Sequence, residues 1–86
     1  MKYDLGNLLF DLGEEINLAV KTHGPLHSLH EAHSVILEEV EEFWDEVKIN
    51  PKKLEPINQE LRKKNIKKEL IQIAAMCLRT LMDVEL

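Results

Sequence analysis

Two pairs of oxygen-bearing side chains have a spacing that could do chemistry. Glu39 and Glu42 are three residues apart, and so are Glu69 and Gln72. On a helix, positions i and i+3 share one face, so each pair offers two oxygen donors side by side. Carboxylates gathered in one place repel one another unless a cation sits between them. Hard oxygen donors, without thiolate and with little imidazole, suit Mg²⁺ or Mn²⁺. An acid-rich helix face is ordinarily just solvated. The feature that favours a metal site here is position: both pairs lie at the edge of an apolar stripe, on two different helices.

Those helices follow from periodicity. Leu5, Leu9, Leu12, Ile16 and Ala19 recur at three- and four-residue steps, which marks one face of a first helix. Gly24-Pro25 stops it, because glycine accepts the left-handed conformation and proline cannot continue a helix. Ser28 and Glu31 form an S-x-x-E capping box that opens a second helix. Leu29, Ala32, Ile36, Val40, Phe43 and Val47 form its apolar face, widened by Leu37 and Trp44, and Asn50-Pro51 closes it. Pro51 to Pro56 is expected to be a loop. A third helix carries Ile66, Leu70, Ile73, Cys77, Leu81 and Val84 on one face; whether residues 57–64 begin it or form a separate short helix is open. With no strand alternation and no internal repeat, the expected fold is all-α: an antiparallel helical bundle, one domain over residues 1–86.

Composition narrows the function. The chain has 86 residues, 11 Lys+Arg, 16 Asp+Glu and a net charge of −5. A domain this small buries about 60% of the surface its unfolded chain exposes. The single cysteine, Cys77, excludes an internal disulfide, so helix packing or oligomerisation must supply stability. The wide stripe on the second helix points to a core completed by a second chain, in a homodimer or homotetramer. No apolar run approaches a membrane span, and the acidic N-terminal stretch does not read as a signal peptide. A cytoplasmic protein is therefore expected, with neither a membrane nor a nucleic acid as partner, since duplex binding needs a basic face. Charge is segregated nonetheless. Seven acids and no Lys or Arg lie between Glu31 and Glu46, and eight bases against two acids between Lys48 and Lys68.

The segment Ile36-Leu37-Glu38-Glu39-Val40-Glu41-Glu42-Phe43 resembles the E-E-x-x-E box of the MazG-like, all-α nucleoside triphosphate pyrophosphohydrolases. Glu69-Leu70-Ile71-Gln72-Ile73-Ala74-Ala75-Met76 sits where that family has its E-x-x-D box, at the family's usual distance. The flanking Ser28-Leu29-His30-Glu31-Ala32 and Ala74-Ala75-Met76-Cys77-Leu78-Arg79 resemble a small phage- and prokaryote-type branch. The resemblance spans about Pro25 to Leu81. It implies a MazG-like bundle that cleaves nucleoside triphosphates to monophosphate and pyrophosphate, with house-cleaning of non-canonical nucleotides as one use. It implies Mg²⁺ held by Glu39, Glu42 and Glu69 with Gln72 in the fourth place, and a catalytic set of Glu38, Glu39 and Glu42 in which Glu38 positions metal or water. Gln72 departs from the family pattern. Its amide oxygen can ligate a cation, but it brings no charge and cannot act as a base. That departure supports the alternative of a non-catalytic nucleotide-binding or protein-interaction module.

Other chemistry is poorly supported. His23, His27, His30 and His33 lack the H-E-x-x-H spacing of a zinc protease. No Glu-x-x-His follows the acidic box, which argues against a di-iron bundle. Gly6, Gly13 and Gly24 form no phosphate loop. Cys77 is expected in the core as a small apolar side chain, and Phe43 and Trp44 in the core or an interface. Lys48, Lys52, Lys53, Lys64 and Lys68 are within reach of phosphates or of acids in the same chain.

Overall fold

The computed structural model describes residues 2–86. Three α-helices run α1 (Leu5–His23), α2 (Leu29–Val47) and α3 (Pro56–Asp83), with one 3₁₀ turn at Pro51–Lys53 between the last two. The described residues contain no strand. Local chemistry sets each boundary. Asp4 caps α1 by accepting the Asn7 N–H at 2.9 Å, and Gly24 ends it at φ 70° while its N–H returns to the Val20 carbonyl. Ser28 Oγ accepts the Glu31 N–H at 3.0 Å. Glu31 reaches back in turn, not to Ser28 but to the His27 N–H at 3.3 Å. Asn50 caps the 3₁₀ turn. Pro56 then opens α3 as its first residue, where a missing N–H costs nothing. Residues 57–64 are thus the first turns of one continuous 28-residue helix.

α3 is the central element. It packs on α2 along one side and on α1 along another. Its contacts with α2 run antiparallel: Arg62 meets Glu46 and Val47, and Asp83 accepts the Leu26 N–H at 3.0 Å beside the start of α2. Its contacts with α1 run parallel, from Asp11–Lys67 to Gly24–Arg79. The core is small: Leu26, Ala32, Ala75 and Met76 are buried, and Val35, Ile36 and Val84 pack partly buried against it.

The buried side of α3 differs from the sequence expectation. Ala75, Met76 and Arg79 are buried, whereas Cys77 is exposed and Leu81 is 65% exposed. A helix held between two neighbours buries the positions lying between both contacts, and these are not its most apolar stripe. Half of that stripe faces outward: Leu70, Cys77 and Leu81 are exposed, while Ile66, Ile73 and Val84 are half-buried. In an antiparallel pair, positions displaced the same way around each helix lie on the same face. The exposed Leu37, Val40 and Trp44 of α2 and Leu70, Cys77 and Leu81 of α3 therefore join into one apolar strip. Positions on the opposite side of the pair, Lys67 and Ile71 among them, meet α1.

Candidate metal centre

The antiparallel contact of α2 with α3 brings Glu39 and Glu42 against Glu69. One carboxylate oxygen from each lies within 4.8 Å of the others. The end of the Gln72 amide is 3.0 Å from Glu39 Oε2 and 3.3 Å from Glu69 Oε2. All four residues singled out for metal binding thus converge. Glu38 does not join them: it stays exposed on the flank of α2 and acts on Glu39 only through its charge. Glu46 is used elsewhere, accepting from Asn65 Nδ2 at 3.2 Å.

Electrostatics registers the crowding. Burial pushes the Glu69 carboxyl up to about 7, reinforced by hydrogen bonds with Glu42 and Glu39 and by their negative charge. Glu39 is also raised, first by burial and then by repulsion from Glu42. Glu38 and Glu15 add smaller repulsions, and the hydrogen bond from Glu69 partly offsets the rise. Below about pH 7 the crowding thus favours a proton on Glu69.

The donor set fits a hard divalent cation. Adjacent ligand oxygens in an octahedral shell with bonds of about 2.0–2.1 Å are about 3 Å apart. The spacing of Gln72 from Glu39 and Glu69 is that of hydrogen bonds donated by its NH₂. The Gln72 amide has two useful orientations. With its NH₂ toward the carboxylates it donates to both. With its oxygen toward them it could add a neutral ligand to the three acids or accept from a protonated Glu69.

Two features escaped the sequence reading. Glu15 of α1 is close enough to raise Glu39, a contact that crosses between helices and has no local signature. Arg79 is 3% exposed. Its guanidinium donates to the Gly24 carbonyl and to Met76 Sδ and lies 3.8 Å from Asp83, while its Nε has no partner. A lone arginine inside the apolar stretch Leu70–Val84 was the available signal.

No helix in the described residues is long and apolar enough to cross a membrane. No family model matches the chain, and no curated protein and no solved structure matches it either.

Proposed function

We propose that this chain is a MazG-like, Mg²⁺-dependent nucleoside triphosphate pyrophosphohydrolase, with Mn²⁺ as an alternative ion. The observation that carries this reading is the convergence of Glu39, Glu42 and Glu69 with Gln72 from two helices. These four residues would hold the ion, which when bound neutralises phosphate oxygens and polarises water. The chain itself orients the triphosphate beside the cluster and receives a proton. Water adds across the link between the α and β phosphates. One P–O bond forms, one breaks, and monophosphate and pyrophosphate result. A carboxylate outside the ion's shell takes the proton, and Glu38 and Glu15 are the two whose charges reach Glu39.

The test is pyrophosphate release from a nucleotide panel with Mg²⁺. Glu39→Gln is expected to cut the rate by about 10²-fold or more, the scale of losing a group that stabilises transition-state charge. Turnover absent across the panel, or unchanged in Glu39→Gln, overturns the reading.

Gln72 favours a second reading, a nucleotide-binding module without turnover. Titration with Mg²⁺ and a non-hydrolysable triphosphate separates the two, since binding without hydrolysis supports the module. A Gln72→Asp variant that gains activity identifies this one amide as the limiting residue.

Self-association belongs to the same proposal. The accessible surface is 6551 Å² for 10.0 kDa, against about 5,200 Å² for a compact monomer of that mass. The outward strip of Leu37, Val40, Trp44, Leu70, Cys77 and Leu81 supports a homodimer or homotetramer in which that surface is covered.

A further inference from the structure

Trp44 is 58% exposed, although an aromatic ring of that size brings one of the larger gains available from burial. It stands at the α2 edge of the outward strip. The contacts of Glu46 with Asn65 and of Glu39 with Gln72 set α2 against α3 so that Trp44 is level with Lys67.

At the same level lies a hollow of about 420 Å³. Leu8, Ile66, Leu70 and Ile71 give it apolar walls, and along its lining Lys67 Nζ is 4.7 Å from the centre of the Tyr3 ring. Lys63, Leu70 and Cys77 are seven residues apart and share one side of α3, so the hollow adjoins the strip. Its far wall, Tyr3 and Leu8, belongs to the α1 side. The strip therefore has a large apolar knob on one flank and an apolar hollow on the other, at one height.

Charge follows the same division. Glu41 and Asp45 accompany Trp44 on α2, and Lys63 and Lys67 line the hollow. The pairs Asp45–Lys48 and Glu60–Lys63 are exposed, and such pairs are weak enough to exchange partners. Opposite charges around knob and hollow orient one copy on another. The surface in excess of a compact monomer's, about 1,300 Å², is more than the roughly 800 Å² that each partner covers in a standard interface.

We propose that a second copy of this chain docks strip to strip about a twofold axis parallel to α3, with Trp44 of each copy seated in the Leu8–Ile66–Leu70–Ile71 hollow of the other. Such an axis keeps every residue at its level and carries it to the opposite flank, so one complementary contact is made twice. This rests on the self-association reading and adds its register and its anchor. Gln72 is about 200° around α3 from Leu70, so the acidic cluster stays uncovered in the pair.

Trp44 is the chain's single tryptophan, so its fluorescence reports the seat directly. The full chain is followed from dilute to concentrated solution by emission and by sedimentation. Wild-type emission is expected to move to shorter wavelength with the same midpoint as association. Leu8→Lys, which puts a charge in the hollow, is expected to weaken association about ten-fold or more and to leave Trp44 emitting as a solvated indole at concentrations where the wild type is paired. Trp44→Ala, at an exposed position, is expected to weaken sedimentation-detected association as much, and it keeps the test open if Leu8→Lys fails to fold. A wild-type chain that stays monomeric overturns both the docking and the self-association reading. Association with Trp44 still solvated, or unweakened in Trp44→Ala, overturns the docking alone and leaves the hollow to another occupant. Pyrophosphate release is read on the same samples: its absence removes the pyrophosphohydrolase reading and leaves the docking standing.

Discussion

Glu69 is the residue on which the electrostatics of the cluster turns. Its carboxyl is raised from 4.5 to about 7, so between those values the folded chain keeps a proton that the unfolded chain has lost. Unfolding free energy then falls as pH rises through that window. In the presence of a chelator, the melting temperature should decline from about pH 5 to about pH 8. Glu69→Gln should flatten the decline, because a neutral amide removes both the charge and its titration. On the proposed metal reading, a divalent cation would replace the proton as the neutralising species. Mg²⁺ should therefore raise the melting temperature more at the alkaline end of that range than at the acid end. A melting temperature that climbs with pH in the chelator, or that ignores Mg²⁺ throughout, would refute this account.

The elements are joined by side chains from their neighbours. The last turn of α2 contains no basic residue, so its terminal carbonyls need donors from elsewhere. Arg62 of α3 supplies them, with Nε to the Glu46 carbonyl at 3.0 Å and Nη2 to the Val47 carbonyl at 3.1 Å. This contact also sets the register of α3 on α2, and hence the meeting of Glu69 and Gln72 with Glu39. Arg62→Ala should cost about 1.5–3 kcal/mol, the range for hydrogen bonds to a charged donor, measured as a lowered denaturation midpoint at constant slope. Ser28→Ala should cost about 1 kcal/mol through the lost cap and leave metal affinity intact. If Arg62→Ala left the midpoint unmoved, its capping role would be excluded.

As a whole the molecule is long and thin, 45 × 27 × 20 Å with a radius of gyration of 14.5 Å, against about 12 Å for a compact chain of this length. Among the described residues no large side chain is fully buried. The hydrophobic term is correspondingly small, and covering the outward strip is the direct way to enlarge it. Sedimentation should show a dimer or tetramer, and Val40→Lys with Leu81→Lys should shift it toward monomer and lower the melting temperature. A wild-type chain that sediments as a stable monomer at high concentration would dispose of the assembly.

Helix existence and limits were legible because they are local. Asp4, Ser28, Gly24-Pro25 and Pro56 act on backbone groups a few residues away. The acidic edge was legible too, since the three-residue spacing of Glu39 with Glu42 and of Glu69 with Gln72 puts each pair on one face of any helix. The buried side of α3 was not. Periodicity locates the most apolar stripe, but a helix flanked by two others buries what lies between them, which made Ala75, Met76 and Arg79 interior and left Cys77 and Leu81 outside. The approach of Glu15 and the unpaired donor of Arg79 arose only when three helices closed around a common cleft, since contacts across many residues leave no periodic trace in the chain.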